Sequence, residues 1–279
     1  MRRLLWLGLA ALLCLAVGCG KSDLVKLKHP AKFYRSIVSL SPGTTEIISL
    51  NIMSAKLVGR TPNCNYPKTV DKVDVVLKGT KPDYEKIAGI KPDLIVYDPI
   101  LYNDSDVAKL KELGIDLFPL KAGSIREFEE SIFSLGAVTQ SETNVSDYVQ
   151  KIEAAMRHTG DKAGPKVAVI LSGGGAEDMI AGDSSFQADL VKGAGGTPVG
   201  PKADRFVPLN VESLIRDDPD AIVVPGEAKD AKAVEADPRL QALKAVRLHR
   251  VFQEDGDKML RAGSRVDAAI TDLAGFLGT

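Results

Sequence analysis

The sequence predicts an α/β protein built from two related lobes, and three observations carry that prediction. Short β-branched runs alternate with amphipathic stretches from residue 32 onward, the pattern of parallel strands joined by helices. Near the middle, two helical segments follow one another with no strand between them. A block of twelve residues in the first half then recurs in the second.

Near-continuous apolar runs at residues 37–40, 93–97, 116–119, 166–171, 221–224 and 250–253 read as strands. Runs of that length suit a parallel sheet covered on both faces. Residues 57–60 form a further strand after the first helix. Helix patterns occupy 44–50, 84–90, 105–113, 186–192, 211–216 and 258–276. The two consecutive helical segments span 124–140 and 142–158. Ser124 with Glu127 fits a capping box at the first, and Ser141 or Thr143 starts the second. The stretch from Gly160 to Pro165 ends it, so the second segment reads as a stiff strut between two lobes.

The repeat aligns without gaps. Glu85-Lys-Ile-Ala-Gly-Ile-Lys-Pro-Asp-Leu-Ile-Val96 matches Glu212-Ser-Leu-Ile-Arg-Asp-Asp-Pro-Asp-Ala-Ile-Val223 at a constant offset of 127. Both copies read as helix, Pro-Asp turn and buried strand.

Composition narrows the function. The 279 residues carry a formal net charge of −1, with 44% hydrophobic and 26% charged residues. That is globular, neither disordered nor fibrous, and it offers no basic surface for nucleic acid. Three histidines leave little material for an imidazole metal site, so none is predicted. Arg2 and Arg3 precede the uncharged run 4–17, and Gly18-Cys19 follows. A charged start, an apolar run and small residues form an export signal. Leu15-Ala16-Val17-Gly18-Cys19 resembles the bacterial lipobox, which implies cleavage before Cys19 and a lipid on its sulfur. Several acyl chains on one cysteine make a stable membrane anchor. Cys14 leaves with the signal, so Cys64 is the remaining thiol of the mature domain and no internal disulfide is expected. The predicted boundaries are signal peptide 1–18, lipidated tether 19–32, first lobe 33–140, linker helix 141–163 and second lobe 164–279.

Arg35-Ser-Ile-Val-Ser-Leu-Ser-Pro-Gly-Thr-Thr-Glu-Ile-Ile48 resembles the opening strand and helix of the helical-backbone (class III) substrate-binding proteins. Lys91-Pro-Asp-Leu-Ile-Val96, the double helix, Gly195-Gly196, residues 210–224 and residues 261–265 continue the likeness in the expected order. The resemblance implies two Rossmann-like lobes with mostly parallel central sheets, a long linker helix and a ligand cleft between the lobes. It also implies an ABC permease dimer with ATPase subunits as partner, and a small metal chelate such as cobalamin, an iron-siderophore or haem as cargo. No cofactor and no catalytic residue is expected, and the protein is expected to be a monomer. Asn63-Cys-Asn-Tyr-Pro67 is similar to the Cys/Ser-Asp-Tyr-Pro segment of the cobalamin-binding branch, with Asn65 in place of the usual acid.

Open parallel sheets bind ligands beyond the carboxyl ends of their strands, which nominates residues 41–44, 63–66, 97–98 and 173–175 and the loops near Phe206 and Arg261. Within these, Tyr97 and Phe206 match cleft aromatics of the resembled family, or else simply end a core strand and pack a loop; Tyr66, Asn63, Cys64 and Ser41 stand beside them. Lys81 falls near another such position. Lys81, Arg60, Arg205 and Arg261 are alternatively partners for an anionic chelate or plain surface charges. Pro42-Gly43-Thr44 opens a helix, either as an anion site or as an ordinary cap. Glu85 and Glu212, the repeat-related pair, each sit in the first turn of a helix. The resemblance implies that they are docking acids, one per lobe, for a two-fold permease, ahead of the alternative that they only stabilise the helix dipole.

A corrinoid receptor is therefore the leading expectation and an iron-siderophore or haem receptor the alternative. An extracytoplasmic enzyme or sensor lipoprotein on the same fold ranks below both. The chain has no G-x-S-x-G elbow, no H-E-x-x-H and no Walker loop.

Overall fold

The computed structural model describes residues 33–156, 163–172 and 178–278. The predicted signal, Cys19, the tether, His158 and the Gly173-Gly174-Gly175 turn lie outside them. In the first lobe, β1 (Ser36–Ser39) leads into α1 (Pro42–Asn51), followed by β2 (Lys56–Gly59). A small hairpin follows, β3 (Leu77–Lys78) with β4 (Lys81–Pro82), then α2 (Tyr84–Ile90), β5 (Leu94–Tyr97), α3 (Asp104–Glu112) and β6 (Asp116–Pro119). Strands β2-β1-β5-β6 form one fully parallel sheet. One face, with Ile37, Leu94, Val96 and Phe118, joins the main core. The other, with Val38, Ile95 and Tyr97, packs with Ile87 and Leu110 of the flanking helices. Burial of both faces is why the middle positions of these strands are apolar on both sides of the sheet.

Next come α4 (Ile125–Thr139) and α5 (Glu142–Met156). Ser124 caps α4 by accepting from the Glu127 amide at 3.0 Å. The Glu127 carboxylate reaches back to the Gly123 amide, 2.9 Å away, so the predicted box is displaced by one residue. Along α5, Val145, Tyr148, Val149 and Ile152 make a buried stripe at helical spacing. They share a single apolar cluster with Phe118 and Phe128 on one side and Leu190, Ile270 and Leu273 on the other. The linker is therefore packed into both lobes at once.

The second lobe runs β7 (Lys166–Leu171), β8 (Met179–Ala181), α6 (Phe186–Gly193), β9 (Thr197–Pro198), β10 (Phe206–Pro208), α7 (Val211–Asp217) and β11 (Ala221–Pro225). It closes with α8 (Ala228–Ala236), α9 (Lys244–Arg247), β12 (Val251–Glu254), α10 (Gly256–Met259) and α11 (Val266–Leu277). Its sheet has the order β10-β8-β7-β11-β12, with β9 also on β7. Strands β7, β9, β11 and β12 are parallel, β8 runs antiparallel to β7, and β10 pairs antiparallel with β8. One expectation is corrected here. Residues 258–276 are two helices rather than one, interrupted where residues 260–265 turn to lie against α1.

The repeat is real in three dimensions. Asp83 and Asn210 cap α2 and α7 on the amides of Lys86 and Ser213. Lys91 and Asp218 end them at positive φ, 53° and 42°, and Ile87 and Leu214 are the buried anchors.

Candidate functional site

The two lobes meet where loops beyond the carboxyl ends of β1, β2 and β12 converge. Gly43, in the first turn of α1, lies so close to the last segment that a Cβ there would stand 2.5 Å from the Ala262 carbonyl oxygen. The same helix carries Glu46, almost completely buried. Its carboxylate accepts from Arg265 Nη2 at 2.6 Å, from Arg265 Nε at 3.2 Å and from the Ser264 amide at 3.1 Å. Burial pushes the Glu46 carboxyl above its ordinary range, against the pull of Arg265, Arg261 and the Ser264 amide. Burial also works to lower the Arg265 pKa, but Glu46 and the nearby aspartates more than offset it. Tyr148 of the linker completes the joint, donating to the Gly263 carbonyl at 2.6 Å and accepting from the Val266 amide at 3.1 Å.

Next to this pair, Arg261 contacts Asp257 at 2.5 Å and donates to Asn65 Oδ1 at 2.7 Å. Asn65 Nδ2 in turn donates to Asp257 Oδ2 at 2.8 Å. The Tyr66 ring lies under the Arg265 guanidinium, 4.5 Å from its centroid, a cation–π geometry. Of the nominated residues, the structure thus brings Tyr66 and Arg261 together at the junction, and Asn63 stands exposed on the same loop.

Ser41 and Cys64 belong to a buried hydroxyl network. Ser41 Oγ accepts from the Thr44 amide at 3.2 Å, which makes it an ordinary helix cap. Thr44, Ser39 and Thr45 continue the chain, and Thr45 and Thr61 both meet Cys64 Sγ, at 3.0 and 3.1 Å. The Pro42-Gly43-Thr44 turn is covered by Ala262, so no amide there is left open to a ligand. Arg60 is likewise committed, donating to the carbonyls of Thr61, Cys64 and Val73 and thereby shaping the loop that carries Tyr66.

Tyr97 ends β5, edge-on to Tyr102, with centroids 6.5 Å apart. Burial raises its phenol, and that of Tyr102, which donates to the Leu40 carbonyl at 2.7 Å. Burial also raises the carboxyl of neighbouring Asp98. Phe206 opens β10, half-buried against the main core. Lys81 is exposed on the hairpin opposite Lys78, and Arg205 is exposed and paired with Asp204. Glu85 and Glu212 are exposed in the first turns of α2 and α7, with Lys78 lying 3.8 Å from Glu85. A cavity of about 370 Å³ lies within the second lobe, between β8, β10 and α7, away from the junction.

Among the described residues no three His, Cys, Asp or Glu side chains converge on a metal position, and no helix is long and apolar enough to cross a membrane. The sequence reading did not nominate Glu46, Asp257 or Arg265 as site residues. Glu46 left one signal, the lone charged side chain of α1, but its partner is 219 positions away.

Two sheet-centred α/β lobes thus share one apolar core built around the linker helix. The chain belongs to the periplasmic binding protein family, whose pattern matches residues 37–257, and it is an ABC transporter substrate-binding protein. It is 29% identical over 261 residues to YvrC, an uncharacterized ABC transporter substrate-binding lipoprotein of Bacillus subtilis, covering 90% of this chain and 81% of that one. It is 23% identical over 248 residues to the vitamin B12-binding protein of Pectobacterium carotovorum, covering 85% and 89%. The fold matches the periplasmic heme-binding protein HutB of Vibrio cholerae with a TM-score of 0.75 at 20% identity, over 88% and 99% of the two chains. Members of this family serve ABC permeases and are not enzymes.

Proposed function

We propose that this protein captures cobalamin or a related corrinoid outside the cytoplasmic membrane and delivers it to an ABC permease. The observation that carries the reading is the run of full-length likeness to proteins named for vitamin B12 binding, which spans 85% of this chain. Tyr66 on one lobe and Phe206 on the other offer the aromatic area that a broad, partly apolar ring needs, while Tyr97 shows it only 8% of its surface. Ligand touching both lobes favours the closed form because only that form makes both sets of contacts. The packed linker limits the change to a modest hinge. Cys19 carries the lipid that tethers the protein to the membrane. The monomer meets the permease dimer through Glu85 and Glu212, one acid per lobe. Cobalamin is cargo, and no resident cofactor is needed.

A haem or iron-siderophore receptor is the second reading, favoured by the likeness to HutB. Equilibrium titration of the purified protein separates them. Saturable one-to-one binding of cyanocobalamin, with no binding of haemin or of ferric hydroxamates and catecholates, supports the corrinoid reading. The reverse pattern overturns it.

A further inference from the structure

We propose that Asn65 and Asp257 clasp Arg261 across the lobe junction and so make the cleft select neutral over anionic metal chelates. This deepens the receptor reading above and rests on it.

The three side chains form a closed ring. Arg261 Nη2 meets Asp257 Oδ1 at 2.5 Å, Arg261 Nη1 donates to Asn65 Oδ1 at 2.7 Å, and Asn65 Nδ2 donates to Asp257 Oδ2 at 2.8 Å. The ring fixes the amide: reversed, its NH2 would face a guanidinium that has no acceptor, and its oxygen would face a carboxylate. An acid at position 65 would place two carboxylates at that same separation. Asn65 comes from the loop after β2, Asp257 and Arg261 from the segment after β12, so the ring ties one lobe to the other.

Its electrostatic effect follows from the neighbours. Arg261 also lies 3.9 Å from Glu46. Arg265 is held by Glu46 at 2.6 Å and by Asp255 at 3.5 Å. Asp257, Glu46 and Asp255 thus face Arg261 and Arg265, so each guanidinium is already matched by a carboxylate. A carboxylate on a ligand reaches Arg261 only by displacing Asp257. A neutral amide, as on the rim of a corrin, meets no such penalty. Arg261, read from sequence as a partner for an anion or a plain surface charge, is instead matched from within by Asp257.

The test uses two ligand pairs that differ in charge and share a ring: cyanocobalamin with its monocarboxylic acid, and haemin dimethyl ester with haemin. Affinities are measured for the wild type, Asp257→Asn and Asn65→Asp, each first shown to unfold cooperatively. The wild type is expected to prefer the neutral member of the pair it binds by about tenfold. Asp257→Asn, which keeps the shape and frees the Arg261 charge, should bring the ratio near one, and added salt should shrink the difference. Asn65→Asp should widen the preference for the neutral ligand. Failure of the wild type to bind either corrin while binding a porphyrin retires the corrinoid reading and leaves the clasp to be judged on the porphyrin pair. An unchanged ratio in Asp257→Asn, a wild type that prefers the acid, or binding of neither pair overturns the proposal.

Discussion

Asp93 and Asp220 occupy matching places in the two sheets, each closing its sheet by accepting the first amide of the neighbouring strand. Asp93 takes the amides of Arg35 and Ser36, at 2.9 and 3.1 Å, and so pins β1 to β5. Asp220 takes the amide of Lys166 at 2.8 Å and pins β7 to β11. In both cases the aspartate amide donates back to the same strand, to Ser36 and Lys166 carbonyls. The Pro-Asp turn of the repeat is thus a strand clamp present once per lobe.

The clamp predicts acid sensitivity with a definite sign. The Lys244 ammonium, then the Lys166 amide, hold the Asp220 carboxyl below its ordinary value of 3.8. A depressed folded-state pKa contributes stability that is complete above the unfolded-state value and is lost as pH falls through the folded one. Asp220→Asn should therefore lower stability at pH 7 by about 1–2 kcal/mol. The gap from wild type should close below pH 3.8, as urea melts across pH will show.

The buried pair at the junction predicts a larger effect. Glu46→Ala or Arg265→Ala strips a buried charge of its nearest partner, leaving only the longer contact to Asp255 or Arg261, and should cost about 3 kcal/mol in chemical denaturation. The double variant Glu46→Leu with Arg265→Met should recover much of that loss, because the second charge then needs no partner. A double variant as unstable as either single one contradicts this account.

The aromatic faces predict affinity losses without unfolding. Tyr66 is 38% exposed and Phe206 half-buried, so truncating either to Ala removes contact area more than core. Each should weaken cyanocobalamin binding roughly tenfold or more in equilibrium dialysis, with the far-ultraviolet spectrum unchanged.

Docking predicts a separation of binding from transport. Replacing Glu85 and Glu212 together by Ala should abolish uptake of labelled cyanocobalamin in cells carrying the cognate permease. Ligand affinity of the purified double variant should match wild type. Normal uptake removes the assignment.

Much of the fold was legible because the central strands are buried on both faces, so β5 and β11 appear as unbroken apolar runs and β7 as one after its first residue. The repeat placed α2 and α7 for the same reason, one fully buried anchor per short helix. The hairpin β3–β4 and the strands β8, β9 and β10 were not legible. They are two or three residues long, and three of them contain proline. No periodicity survives over such lengths. The break between α10 and α11 was hidden because residues 260–265 are shaped by α1, far away in sequence. Of the residues that meet at the junction, motif position had singled out Tyr66 and Arg261. Glu46 with Arg265 and Asn65 with Asp257 were not, because each pair is made by lobe packing rather than by local pattern.

The central claim is that cargo is gripped between the lobes, and a crystal structure of the protein with cyanocobalamin tests it most directly. The account predicts corrin density at the junction, touching Tyr66 and Tyr97 from the first lobe and Phe206 from the second. Density confined to one lobe, such as the cavity beside α7, or an unliganded junction at saturating cyanocobalamin, contradicts it.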